Sequence, residues 1–387
     1  MGAVLADPSR AVRHTPILDM TNRIKFGTDG WRGIVGDDFT YEEVRRCALG
    51  TAAHLKDLRG KTPTLIVGYD TRFSSELFAR EVVKATTAMR LETILTDKSC
   101  PTPVVSFSVV DQHASGGVVI TASHNPAEWN GFKVKSSAGS SVNAHFVDIL
   151  ERRINGMIVD MHPLDDNLQI EEFDPVPSYL NHVSDLVDID RIKNAGLLVA
   201  TDAMHGSGAG YFDMLLEGGS TTVSEIRGER NPSFPGMSQP EPIGSNLKRL
   251  SHNVRSWEAN VGLALDGDAD RLGVVDENGR YLSTLDIFAL LCYHQLEVLG
   301  RRGSIVRSLT STSMIDRLGE AYKVPVFVTK VGFQHVGAMM QQDNSLIAGE
   351  ESGGYAFRDH IPERDGIVSG LMILDLLVRT GRTLTDL

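Results

Sequence analysis

Residues Val119 to Val134 read VITASHNPAEWNGFKV. The apolar run Val118 to Ile120 reads as a buried strand, and Asn125-Pro126 stops it by turn chemistry. Ser123 is thereby placed in an exposed loop beside His124, just past the strand, with Lys133 further along. In isolation, Ser-His-Asn-Pro is read first as a turn made by its serine and asparagine. The chemical alternative is a serine that carries a transferable group, with Lys133 as a cation or proton carrier.

Outward from that stretch, short apolar strands alternate with helical patterns. TLIVGYD (Thr64 to Asp70), LETILTD and SGGVVITAS read as strands, and SSELFAREVVKATTAM as a helix that Ser74 or Ser75 would cap. This rhythm means βαβ units and a mostly parallel sheet. It restarts at AGLLVATDAMHGSGAGYFDMLLE (Ala195 to Glu217) and again at GSIVRSLTSTSMIDRLGEAY. Each unit has a polar or glycine-rich loop past a strand's C-terminal end, where open α/β sheets place ligands. Joins are expected in NLQIEEFDPVPS (Asn167 to Ser178) and near the hairpin-like DENGRYL around Gly279. The chain divides accordingly into three α/β domains, over 18–172, 173–281 and 282–387.

The bulk composition narrows the function. The chain has 387 residues with 41% hydrophobic and 23% charged residues, ordinary globular usage. A formal net charge of −12 argues against a nucleic-acid surface, but a local pocket can still be positive for a small anion. Cys47, Cys100 and Cys292 are far apart, so neither a disulfide framework nor a zinc knuckle is supported, and a reducing compartment fits. The N-terminus lacks a long apolar segment and no apolar run approaches ~18 residues. A cytoplasmic protein without membrane partners is expected.

Three further stretches could carry chemistry. In LALDGDADRLG, Asp266, Asp268 and Asp270 alternate and would share one face in extended chain. Their mutual repulsion asks for a cation, and oxygen ligands suit Mg²⁺. An EF-hand is the decoy, since Glu277 is twelfth from Asp266; yet the sixth position, which needs glycine, is Arg271. AGEESGG (Ala348 to Gly354) offers carboxylates that could grip sugar hydroxyls, though alone it reads as a surface turn. FGTDGWRG holds Arg32 on a glycine-rich loop, and HIPERDG holds His360 and Arg364; arginine there suits phosphate, or makes a structural salt bridge.

Together these pieces resemble the α-D-phosphohexomutase superfamily, the phosphoglucomutase/phosphomannomutase group. T-A-S-H-N-P with N-G-x-K, D-G-D-x-D-R and G-E-x-S-G stand in that family's order, and the resemblance runs from about Phe26 to the end. It implies related α/β domains with mixed, mostly parallel sheets around a central cleft. By the same resemblance Ser123 is the phosphoserine, and its phosphate with Asp266, Asp268 and Asp270 holds one Mg²⁺. His124 and Lys133 match residues that assist proton transfer, and Arg32 and Arg271 flank the phosphoryl site. Glu350 and Ser352 contact the sugar, the TKVGF loop with Gly332 and Phe333 orients it, and His360 and Arg364 join the substrate set.

The implied activity is an intramolecular phosphotransfer between hexose 1-phosphate and hexose 6-phosphate, through a hexose 1,6-bisphosphate. Glucose is favoured, mannose is next and glucosamine is third. The family's fourth domain carries a loop for the substrate's distal phosphate, and no equivalent is found here; TGRTLTDL ends the sequence, with Thr383 opening what looks like a helix. A catalytically impaired fragment, a sugar-phosphate-binding homologue and a bare phosphatase are therefore the alternatives. A monomer or homodimer acting on a small sugar phosphate is expected.

Overall fold

The computed structural model describes residues 23–57, 63–156 and 168–387. Three sheets follow one another along the chain. The first contains β1 (Trp31–Ile34), β2 (Thr64–Tyr69), β3 (Glu92–Thr96), β4 (Gly116–Ile120), β5 (Trp129–Ser136) and β6 (Glu171–Phe173), in the order β1-β5-β4-β2-β3-β6. The second contains β7 (Leu198–Asp202), β8 (Thr222–Ile226), β9 (Val261–Leu265), β10 (Leu272–Val275) and β11 (Tyr281–Leu282), ordered β11-β10-β9-β7-β8. The third contains β12 (Ile305–Ser308), β13 (Val326–Thr329), β14 (Ile347–Gly349) and β15 (Tyr355–Phe357), ordered β13-β12-β14-β15.

The same device recurs in all three. Each sheet has a parallel set of strands, and one antiparallel strand returns directly from it: β5 from β4, β10 from β9 and β15 from β14. The three returning loops hold Ser123, the Asp266–Asp270 cluster and Glu350, so topology gives one equivalent position in each sheet to each motif. Strands β4 and β9 are buried at every residue, as parallel strands covered by helices on both faces must be.

Each sheet has an apolar cluster of its own, and a further one joins all three. One apolar cluster runs from Ile66 and Val119 in the first sheet, through Val199 and Leu263 in the second, to Ile305 and Ile347 in the third. The helix Gly366–Thr380 belongs to this cluster and is buried around its whole circumference from Gly366 to Leu377. A helix apolar on every side has no solvent face, which fits its central place. Asp365 starts it by accepting a hydrogen bond from the Val368 amide. No helix among the described residues is long and apolar enough to cross a membrane.

Several local expectations change. The polar stretch expected as a join contributes β6 and the helix Val176–Leu186; Asn167 itself lies outside the described residues. An edge strand pairs through its backbone and needs no apolar pattern, which is why EEF concealed it. DENGRYL is the hairpin its pattern suggested, and it pairs β10 with β11. Ser74 stands at the helix N-cap but in a left-handed conformation without a capping bond, while the Ser75 hydroxyl donates to Asp70 instead. Thr383 opens a turn closed with Asp386, and the helix before it ends at Thr380.

Candidate active site

Ser123 is not on an exposed loop. It is 1% exposed, because the Asp266–Arg271 loop of the second sheet packs over it. Its φ of 51° lies in the left-handed region, uncommon for serine and associated with functional sites. The turn is held from beneath by buried Arg72, which donates to the carbonyls of Ser123 (2.5 Å), Asn125 (2.6 Å) and Pro126 (2.8 Å). Gly267 lets the two loops meet: a Cβ there would stand 2.5 Å from the Ser123 carbonyl oxygen. The Ser123 hydroxyl donates to Asp266 Oδ2 at 2.8 Å and lies 3.1 Å from His124 Nδ1. Burial, with the Arg271 and Arg32 cations nearby, lowers the His124 imidazole to about 2, so it is neutral at pH 7.

Asp266, Asp268 and Asp270 are all fully buried and offer oxygens within 4.8 Å of one another. They converge through a turn, with Ala269 at φ 57°, and not through strand alternation. Burial and the two neighbouring carboxylates push Asp266 well above the usual range. Burial would also raise Asp268, but Lys133 and the Thr102 hydroxyl hold it far below. Asp268 Oδ1 and Asp270 Oδ1 have no hydrogen-bond partner. Glu277, the decoy's twelfth position, lies in the hairpin turn past the other end of β10.

Cations from two sheets meet this cluster. Lys133 Nζ lies 2.7 Å from Asp268, 3.1 Å from Asp270 and 2.7 Å from Asp29. Burial would lower its pKa, but these carboxylates outweigh it and hold the ammonium charged. Arg364 donates to Asp29 (2.6 Å) and Asp270 (2.7 Å), and its guanidinium is only 4% exposed. It thereby joins the three units, and it also lines the cleft that opens above them, where its Nε has no hydrogen-bond partner. Arg32 donates to Asn125 at 2.5 Å, and Arg271 donates to Glu241 at 3.0 Å.

Above these groups opens a cleft of 580 Å³. Arg32, His124 and Arg271 line one part of it, and Gly332, Phe333, Glu350 and Ser352 another. Glu350 accepts the Gly332 amide at 2.8 Å, and burial raises its pKa. The Ser352 hydroxyl is buried without a partner. Gly332, at φ 114°, needs glycine's freedom and sits close to Thr28 of the first unit. His360 does not reach the cleft. It is buried between His182 (2.9 Å) and Asp365 (2.9 Å), because the HIPERDG stretch turns it towards the interface beneath the central helix.

Several site residues escaped the sequence reading. Asp29 was inside the quoted FGTDGWRG, yet its place between Lys133 and Arg364 depends on partners far along the chain. Thr102 donates to Asp268 at 2.6 Å, and nothing in its local sequence signals this. Arg72 and Glu241 likewise carry no motif; a buried arginine beside a turn is visible only once the turn is folded.

Family comparisons agree with this arrangement. Models of phosphoglucomutase/phosphomannomutase alpha/beta/alpha domains I, II and III match residues 23–157, 177–279 and 285–387. A phosphoglucomutase/phosphomannomutase of Thermococcus kodakarensis is 29% identical, over 94% of this chain and 79% of its own length. A phosphoglucosamine mutase of Acetivibrio thermocellus is 31% identical, over 94% and 80%. The crystal structure of a Thermus thermophilus protein, assigned as a phosphomannomutase, superposes with a TM-score of 0.88 at 32% identity, covering 94% of this chain and 82% of that one. With all three domain models matched in order and the three motif loops meeting in one cleft, the chain belongs to the phosphoglucomutase/phosphomannomutase family, within the α-D-phosphohexomutase superfamily.

Proposed function

We propose that this protein interconverts hexose 1-phosphate and hexose 6-phosphate, with glucose phosphates the leading pair and mannose phosphates next. The observation that carries the proposal is the Ser123 hydroxyl, 2.8 Å from a buried carboxylate cluster and 3.1 Å from His124, which lines a cleft shared with Arg32 and Arg271. Ser123 takes and returns a phosphoryl group. A hexose bisphosphate formed in the cleft turns over before its other phosphate goes back to the serine.

Asp266, Asp268 and Asp270 fit Mg²⁺: they are hard oxygen donors, close together, and two of their oxygens have no partner. The ion supplies neutralisation of charge on phosphoryl oxygens. The chain's own groups do the rest. Lys133, held charged, presents a cation and a proton at Nζ beside the serine turn. His124, neutral, offers a hydrogen bond to Ser123 Oγ. Arg32 and Arg271 stabilise charge on the transferring phosphoryl group. Glu350 and Ser352 face the sugar, and carboxylate and hydroxyl are suited to its OH groups.

The test is intact mass together with NMR of products. Ser123 phosphate adds about 80 Da, the size of one added phosphoryl group, and Ser123→Ala abolishes it. Glucose 1-phosphate, mannose 1-phosphate and glucosamine 1-phosphate are supplied separately with Mg²⁺, and the 6-phosphates are followed. Glucosamine phosphate has support from the mutase of Acetivibrio thermocellus, so its turnover exceeding that of glucose and mannose would reassign the substrate. Phosphate on another serine and none on Ser123 would overturn the mechanism.

A further inference from the structure

We infer that Glu241 is a positioning residue for the cleft arginine Arg271, acting on phosphoryl transfer through it and not through contact with substrate. This rests on the reading of the cleft as a phosphotransfer site. Arg271 Nη1 donates to Glu241 Oε1 at 3.0 Å, while the amide of Arg271 donates to Asp266 Oδ1 at 3.1 Å. Backbone and side chain are thus fixed at separate points. The guanidinium Nε is buried without a hydrogen-bond partner, 3.9 Å from Asp270 Oδ1, so Glu241 is the acceptor that fixes the opposite, Nη1 side. The side chain of Arg271 is 11% exposed and that of Glu241 20%, so the pair is largely shielded from solvent.

Glu241 is itself held. Gln239 Nε2 donates to Glu241 Oε2 at 2.6 Å, and Asn246 Nδ2 donates to the carbonyls of Gln239 (3.0 Å) and Glu241 (2.9 Å). The adjoining Pro240 carbonyl accepts from the amide of Gly267, in the loop that covers Ser123. A stretch outside every sequence motif is therefore tied both to the aspartate loop and to its arginine. An arginine oriented before charge develops needs no reorganisation during transfer, which is where such donors have most effect. A free arginine would spend its rotamer freedom on each encounter.

The proposal separates from simple structural support by a double-mutant cycle. Glu241→Ala is expected to lower kcat about tenfold or more with KM for glucose 1-phosphate changed less than about threefold, as for an interaction used mainly in the transition state. Glu241→Gln, which keeps an acceptor, recovers part of that loss. In an Arg271→Ala background, Glu241→Ala has little further effect, because the two act as a unit. Additive losses, or Glu241→Ala at the wild-type rate, would sink the idea. So would equal losses in the Ala and Gln variants that track a fall in thermal midpoint. An arm independent of activity is the NMR of arginine side chains. The wild type should show separately resolved, slowly rotating Arg271 Nη signals that merge in Glu241→Ala; merged signals in the wild type refute the tie. If the signals are resolved but no hexose phosphate turns over, the phosphotransfer reading fails while the tie between the two residues stands.

Discussion

The guanidinium of Arg72 is the floor of the Ser123 turn: its Nη2 donates to the Ser123 carbonyl at 2.5 Å, with both side chains buried. The same group serves the carbonyls of Asn125, Pro126 and Trp129 and pairs with Asp70 at 3.3 Å. Arg72→Ala removes the donor those carbonyls share and leaves buried Asp70, still bonded to Ser75, without its cation, a change that costs on the order of 3–5 kcal/mol. Urea titration should show that loss. A decrease below about 1 kcal/mol would mean water replaces the guanidinium at no net cost.

Thr102 is expected to tune the metal site from outside it. Its hydroxyl donates to Asp268 Oδ2 at 2.6 Å, fixing which oxygen of that carboxylate stays open. Removing such a partner typically lowers metal affinity about 10–100-fold. Thr102→Val preserves shape, so calorimetric titration with Mg²⁺ should show that weakening with an unchanged thermal midpoint in the metal-free protein. Equal Mg²⁺ affinity in the variant would remove Thr102 from the site.

Glu350 is expected to select the sugar without serving phosphate chemistry. Glu350→Gln retains an acceptor for the Gly332 amide, so the TKVGF loop should keep its place. A lost charge-assisted hydrogen bond to a hydroxyl costs about 1.5–3 kcal/mol, or roughly 10–100-fold in kcat/KM. Ser123 phosphate stoichiometry by mass should not move. If the stoichiometry falls with kcat/KM, Glu350 acts at the phosphoryl end instead.

Stability should depend on pH through His182, which lies between Phe107 (4.7 Å between ring centres) and His360 (5.1 Å). Burial and the neighbouring His360 lower its pKa from 6.5, although Asp365, Asp185 and Asp111 pull the other way. The folded protein then binds a proton less readily than the unfolded chain. Stability is complete above about pH 6.5 and falls as pH drops towards the lowered folded value. Urea midpoints between pH 7.5 and 5 (roughly the His titration range) should fall less in His182→Phe, which keeps the stacking, than in the wild type. Identical slopes would exclude His182 as a source of the acid sensitivity.

The strands and their chemistry were legible because both are local properties. An apolar run such as Val118 to Ile120, or Val261 to Leu265, declares a buried strand, since flanking helices leave no polar face. The three aspartates could be picked out because three carboxylates so closely spaced ask for a cation, while Ser123 and Lys133 stood out only once the motifs together resembled a family. Edge strand β6 was not legible, since backbone pairing at an edge leaves no pattern in side chains.

Only tertiary structure decided what surrounds those residues. Arg364 meets Asp29 across 335 positions and Thr102 meets Asp268 across 166, and neither pair has a signature in its own neighbourhood. The same long-range packing buried Ser123, which its turn alone placed in solvent, and committed Arg364 to two carboxylates. It also took His360 out of the cleft and set it against His182 and Asp365. Sequence by itself determined three α/β units and, through their resemblance to a family, the candidate site residues. The fold decided what each of those residues touches, because hydrogen-bond partners and desolvation come from residues far away in the chain.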